Sequence, residues 1–283
     1  MLCLASGALA QQPAAPGGVR VVTMQLSSQL MARTMPYQVA LPPDYDAKTS
    51  AANTYPTLYL LHGLTGHYDN WLAHSKLAEY AAAYRLIIVT PEGNDGWYTD
   101  SATLANDKYE SYIVKELLPD VEKRFRTRAN RTGRAITGLS MGGYGALKFA
   151  VKYPDMFIFA GSLSGALQAA EWQEKDLPWK SLRDSVMSVY GPADSPTRAA
   201  NDLFKIIRDA TPANIKAWPY LYVACGTEDF LIAPNQALAK LLVDKKIPHE
   251  YRQHPGAHNW IFWDTQVREV LRLANEQMNP ATR

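Results

Sequence analysis

The segment that most restricts this chain runs from Arg134 to Leu147, RAITGLSMGGYGAL. A short apolar run, Ala135-Ile136, leads into Gly138-Leu139-Ser140-Met141-Gly142, and a small-residue helical pattern, Gly143-Tyr144-Gly145-Ala146-Leu147, follows at once. The order G-x-S-x-G, with a strand before it and a helix after it, puts Ser140 at the apex of a sharp turn. Such a turn strains the serine backbone, and bulky side chains two residues to either side would collide across it; Gly138 and Gly142 remove that collision. The serine oxygen then stands clear of the sheet, with the positive end of the following helix beneath any negative charge that develops there. Ser140 is the candidate nucleophile.

Strand and helix signals alternate on both sides of this turn. Val19 to Ser27 and Thr34 to Leu41 read as an antiparallel pair at a sheet edge, closed by Pro42-Pro43. Pro56 to Leu61 (PTLYLL) is continuously apolar, as a strand buried on both faces must be. Further strands are expected at Leu86–Val89, Phe157–Leu163, Tyr220–Cys225 and His249–His254. Helices are expected over Asn70–Tyr84, Tyr109–Phe125 with a kink at Pro119, the stretch after the turn to Lys152, Pro234–Asp244 and Asn259–Glu276. Ser164 to Thr211 carries no strand signal and reads as an inserted, lid-like segment. The pattern predicts an α/β fold with a mostly parallel central sheet covered by helices on both faces.

Composition excludes several functions. The 283 residues are 47% hydrophobic and 20% charged with a net charge of +2, too small an excess for nucleic acid or an anionic membrane as partner. The basic run Lys123 to Arg128 reads as a solvated helix end. Met1 to Ala10 (MLCLASGALA) has an apolar core ending in a small-x-small site, as at the end of a secretory signal; a secreted or periplasmic protein is expected, with residues 1–18 a leader and flexible lead-in and 19–283 one domain. No other stretch approaches the roughly 18 apolar residues of a membrane span. Of the two cysteines, Cys3 lies in the leader and Cys225 ends an apolar run, so Cys225 is expected buried and inert, and no metal-ligand spacing is present.

A serine at neutral pH needs a base to take its proton and a third group to orient that base. With the nucleophile on such a turn, the chain order is serine, acid, histidine. His62, His67 and His74 precede Ser140, and His249 and His254 lie within the last strand. His258 follows that strand on Pro255-Gly256-Ala257-His258-Asn259-Trp260, where Gly256 frees the backbone to turn the ring inward and Trp260 can pack behind it. The acid is expected after the strand at Tyr220–Cys225, in Gly226-Thr227-Glu228-Asp229-Phe230. Asp229 is preferred because its short side chain holds an imidazole more rigidly, with Phe230 as a shield from water and Glu228 a solvated neighbour. An oxyanion site needs two backbone N–H groups; Met141, after the nucleophile, and Leu64, on the loop His62-Gly63-Leu64, are the expected donors.

HGLTG at His62, GLSMGGYGAL at Gly138, GTEDFL at Gly226 and GAHNW at Gly256, with the helix segments YESYI and KELLP from Tyr109, together resemble the esterase D family of α/β-hydrolases over nearly the whole chain from Val19. That family includes S-formylglutathione hydrolases, short-chain carboxylesterases, feruloyl and acetylxylan esterases, and mycolyltransferases. The resemblance implies an α/β-hydrolase fold, Ser140, Asp229 and His258 as a catalytic triad, Leu64 and Met141 as oxyanion donors, and no metal or organic cofactor. It implies a carboxylesterase acting on a small-molecule or polysaccharide-linked ester. An export signal argues against a cytosolic glutathione thioester as substrate. An S-formylglutathione hydrolase-like thioesterase, acyl transfer to a sugar, and a non-catalytic carbohydrate-binding protein on the same fold are the alternatives. Trp97, Tyr98, Trp172 and Trp179 either line a groove for a sugar ring or an aromatic acyl group, or pack beneath the inserted segment.

Overall fold

A computed structural model describes residues 18–280. Eight strands form one sheet: β1 (Arg20–Ser28), β2 (Arg33–Leu41), β3 (Thr57–Leu61), β4 (Ile87–Pro91), β5 (Arg134–Leu139), β6 (Phe159–Leu163), β7 (Tyr220–Gly226) and β8 (His249–His254). Their order is β1-β2-β4-β3-β5-β6-β7-β8. β1 pairs antiparallel with β2 and β2 with β4, so the expected edge hairpin is present; every other pairing is parallel. From β3 the chain moves outward to β4 and then crosses back to β5 on the other side. The topological switch therefore lies between β3 and β5, where crevices open at the carboxyl ends of strands in such sheets.

The parallel strands alternate their side chains between two cores. Tyr59, Leu61 and Ile136 enter one core, and Leu58, Leu60, Ala135 and Leu139 the other. The first core is closed by α3 (Tyr109–Tyr112), α4 (Leu118–Arg124), α5 (Met141–Lys152) and α10 (Ile232–Asp244). The second is closed by α1 (Asn70–His74), α2 (Leu77–Ala81) and α11 (Trp260–Met278). α5 is buried on all sides from Met141 to Val151, so apart from Lys148 its side chains there are small, apolar or aromatic around the whole circumference.

Three elements differ from expectation. The helix expected over Asn70–Tyr84 is broken at Ser75, which is extended. Its hydroxyl donates to the Trp71 oxygen at 2.5 Å and accepts from Leu77 N at 3.2 Å, and Asp264 takes the Lys76 N–H at 2.7 Å, so side chains replace the helical ladder. The helix expected over Tyr109–Phe125 is interrupted by a π turn at Ile113–Leu117, and Pro119 sits in the first turn of α4, where its missing N–H is tolerated. The basic run is not simply solvated: the Arg126 guanidinium lies over the Tyr45 ring at 4.0 Å, and Arg128 donates to the Met278 oxygen at 2.8 Å. The segment after β6 is helical, with α6 (Lys180–Tyr190), α7 (Pro196–Asn201), α8 (Leu203–Arg208) and α9 (Pro212–Ala217). Cys225 is buried as a free thiol, and burial pushes its pKa up to about 12.

Candidate active site

Ser140 stands between β5 and α5 with φ 52° and ψ −115°, a left-handed conformation that a non-glycine residue holds only when its surroundings enforce it. The glycines around it do the enforcing. A Cβ on Gly138 would lie 2.5 Å from the Gly142 carbonyl carbon, and one on Gly142 would lie 2.5 Å from the Leu61 oxygen. The helix start is thus pressed against the strand before it and against the end of β3.

The structure brings the three expected side chains together from the ends of β5, β7 and β8. His258 Nε2 lies 3.0 Å from Ser140 Oγ, and His258 Nδ1 lies 3.0 and 2.9 Å from the two oxygens of Asp229. The carboxylate only accepts, so Nδ1 carries the proton and donates it to Asp229, leaving the Nε2 lone pair facing the serine hydroxyl. Asp229 is buried and also accepts from Leu231 N at 2.8 Å. Burial pushes its carboxyl up, yet the hydrogen bond and charge of His258, with the Leu231 N–H and the Ser164 hydroxyl, bring it below the usual carboxylate range.

Glu228 is not merely solvated. Its carboxylate accepts from Gly256 N, and its own N–H donates to the Gly256 oxygen at 3.0 Å. Gly256 has φ +144°, which glycine alone tolerates well, and a Cβ on Gly226 would strike the Gly256 carbonyl. The loop carrying the imidazole is therefore clamped onto the loop carrying the acid. Trp263, not Trp260, backs the imidazole, edge-on at 5.0 Å, while Trp260 packs on Trp71 and His74. Phe230 lies 4.5 Å from the imidazole, centroid to centroid, on its open side.

The two expected oxyanion donors sit at the switch between β3 and β5. Met141 opens α5, so its N–H has no acceptor within the helix. Leu64 N also has none among the described residues. Its direction is set by His62, which is buried and was set aside in the sequence because it precedes the serine. Gly93 N donates to His62 Nε2 at 2.9 Å, so that nitrogen holds the lone pair and Nδ1 carries the proton, donated to the Gly63 oxygen at 2.7 Å. Glu92 Oε1, 3.3 Å from Nε2, is then a neighbour rather than an ion-pair partner, because Nε2 has no proton to give it. In a trans peptide the N–H points opposite to the C=O. Fixing the Gly63 oxygen therefore turns the Leu64 N–H the other way.

Trp97 and Tyr98 do not line a groove. Both are fully buried, in a loop where Asn94, Trp97 and Tyr98 all have positive φ. The Trp97 indole N–H donates to Ser185 Oγ at 2.8 Å, and Trp172, half-buried, packs edge-on against Trp97 at 5.5 Å. Lys148, buried in α5, donates to the Tyr98 oxygen and to Thr99 Oγ1, each at 2.6 Å, and pairs with Glu110 at 2.9 Å. Burial pushes the Lys148 ammonium down to about 8, while Glu110, pushed up by burial, is brought down to about 2 by Lys148 and Lys152. Trp179 is 62% exposed at the start of α6. Trp97 and Trp172 thus serve the packing of the inserted segment, the second of the two readings their sequence allowed, while Tyr98 packs on Gly145 of α5. Among the described residues, no cluster of three His, Cys, Asp or Glu side chains is placed to hold a metal ion, and no helix is long and apolar enough to cross a membrane.

Known proteins share this arrangement of strands. The chain is 29% identical over 221 residues to the acetyl esterase of Caldicellulosiruptor saccharolyticus, covering 76% of this chain and 81% of that one. It is 32% identical over 262 residues to Esterase Rv1288 of Mycobacterium tuberculosis, covering 86% of this chain but only 56% of that longer protein. A solved ferulic acid esterase superposes with a TM-score of 0.78 at 26% identity, over 92% of this chain and 99% of its own. The family model described as "Putative esterase" matches residues 28–273, so the chain belongs to that esterase family and carries its α/β-hydrolase fold.

Proposed function

We propose that this protein is a serine carboxylesterase that works through an acyl-enzyme on Ser140. The observation that carries the reading is the continuous path from buried Asp229 through His258 to Ser140 Oγ, with every link at 2.9–3.0 Å. His258 takes the Ser140 proton as the serine oxygen attacks the ester carbonyl carbon. The carbonyl π electrons move onto oxygen, and the Leu64 and Met141 amides receive that charge. When the tetrahedral species collapses, the bond to the alcohol oxygen breaks and His258 returns the proton to it. Water, deprotonated by the same imidazole, then attacks the acyl-enzyme; the bond from the acyl carbon to Ser140 Oγ breaks, His258 returns the proton to Oγ, and the acid leaves.

Acetyl or feruloyl esters of plant polysaccharides are the substrates this reading favours. The names of the acetyl esterase and ferulic acid esterase it resembles support that choice. The Met1–Ala10 pattern, which lies outside the described residues, supports export to where such polymers are met. The test is a panel of p-nitrophenyl acetate, methyl ferulate and acetylated xylan, run with the native protein and Ser140→Ala, beside labelling by a fluorophosphonate probe. Hydrolysis and labelling that vanish together in Ser140→Ala are expected. An unlabelled, folded native protein would remove the catalytic reading, and activity confined to the p-nitrophenyl ester would remove the polysaccharide one.

A further inference from the structure

Trp263 beside His258 is buried, but Phe230, 4.5 Å from the His258 ring, is 69% exposed. The imidazole thus meets buried Trp263 edge-on and a solvent-facing phenyl ring tilted 47° to it. An aromatic ring left in water forgoes stabilisation that anything apolar seated on it would supply.

The reaction decides which part of a substrate meets that ring. The leaving oxygen must come within about 3 Å of His258 Nε2 to receive its proton. The carbonyl oxygen is held at the Leu64 and Met141 amides instead. Whatever is bonded to the leaving oxygen therefore lies on the imidazole side, where Phe230 stands.

We propose that the Phe230 ring seats the carbon framework of the leaving alcohol. The preferred esters are those whose alcohol presents an apolar face. A cycloalkyl or aryl alcohol has one, and so has a pyranose through its C–H face. This rests on the acyl-enzyme reading, since it takes His258 to be the group that protonates the alcohol.

The acyl group can be held constant while the alcohol is varied. kcat/KM would be measured for methyl acetate, cyclohexyl acetate and an acetylated methyl xyloside, with the native protein, Phe230→Ala and Phe230→Tyr. The fluorophosphonate labelling rate reports whether the triad is intact in each variant. Phe230→Ala is expected to lower kcat/KM about tenfold more for the bulky alcohols than for methyl acetate, with Phe230→Tyr restoring the difference. Hydrolysis of the shared acetyl-enzyme should not change. If both bulky acetates lose, a sugar is an admissible alcohol; if cyclohexyl acetate alone loses, the alcohol is a hydrocarbon.

An equal loss on all three acetates would show that Phe230 only supports the imidazole, and would overturn the proposal. So would no loss at all, or a loss that follows acyl length when p-nitrophenyl acetate and butyrate are compared. Failure of the underlying reading looks different: the native protein would then neither label nor hydrolyse any ester, and the proposal would fall with it.

Discussion

The Tyr98 hydroxyl donates to the main-chain oxygen of His62 at 3.1 Å, so a fully buried residue holds the loop that carries Leu64. The ring also fills the space over Gly93 and Gly145, where a Cβ would come within 2.6 and 2.7 Å of it. Tyr98 acts here as a rod between α5 and the end of β3. Tyr98→Phe keeps the rod and removes its bond, leaving the His62 oxygen without that donor. A stability loss of about 1–3 kcal/mol is expected, with kcat falling while KM stays nearly constant. Steady-state kinetics and urea unfolding on one preparation would check this. A stability loss with native kcat would separate the rod from the chemistry.

Asp229→Asn tests how much depends on the Nδ1 proton of His258. The amide can present its N–H₂ to Nδ1 and favour the other tautomer, which takes the lone pair away from Ser140. A fall in kcat of about 10⁴-fold is expected, with the circular dichroism spectrum and unfolding midpoint close to native. A fall of less than tenfold would mean that Asp229 does not set the tautomer.

Lys148 and Glu110 predict an acid-sensitive stability. Glu110 is brought to about 2 from an ordinary 4.5, with burial pushing it up and Lys148 and Lys152 pulling it down further. A carboxylate lowered in the folded state stabilises fully above its unfolded pKa, and that contribution is lost as pH falls from about 4.5 towards 2. Glu110→Gln strands the buried Lys148 ammonium and is expected to cost about 3–5 kcal/mol near pH 7. Because the variant lacks this carboxylate and keeps the others, the gap to the native protein should narrow between pH 5 and pH 3. Urea midpoints at those two values decide it, and parallel curves would count against an ionised Glu110.

Gly226 and Gly63 both lie at the site but answer differently to a methyl group. On Gly226 the new Cβ meets the Gly256 carbonyl carbon at 2.6 Å and its oxygen closer still, backbone against backbone with nothing able to swing away. On Gly63 the first obstacle is Leu139 Cδ1 at 2.6 Å, the tip of a rotatable chain, with Ser140 Cβ next at 3.4 Å. Gly226→Ala is therefore expected to cost about 1–3 kcal/mol or more and to displace His258, lowering kcat and fluorophosphonate labelling together. Gly63→Ala should be the milder change in both. The reverse ranking would contradict the packing described for the two loops.

The positions of Ser140, Asp229 and His258 could be read in the sequence because each follows a strand end at a Gly-containing turn. Strand ends carry strong local signals, and β8 begins and ends where its pattern says. Trp97 and Tyr98 could not be settled that way. An aromatic residue in a loop reads the same whether it faces water or packs inward, and here Ser185 and Lys148, far along the chain, decide it. The place of His62 in the chain order excludes it only as the base, a rule about proton transfer that does not bear on holding a peptide plane. Glu228 was read as solvated because nothing local reveals that Gly256 folds back onto it.

The clamp between Gly226, Glu228 and Gly256 has a mechanical consequence. Acid and base ride on one welded unit, while the attacking alcohol rides on another, the β5–α5 corner, and the contact His258 Nε2 to Ser140 Oγ bridges them. Any widening of the crevice stretches that bridge before it disturbs the carboxylate–imidazole pair. Breathing of the cleft would therefore quench the nucleophile and leave its base already oriented for the next approach.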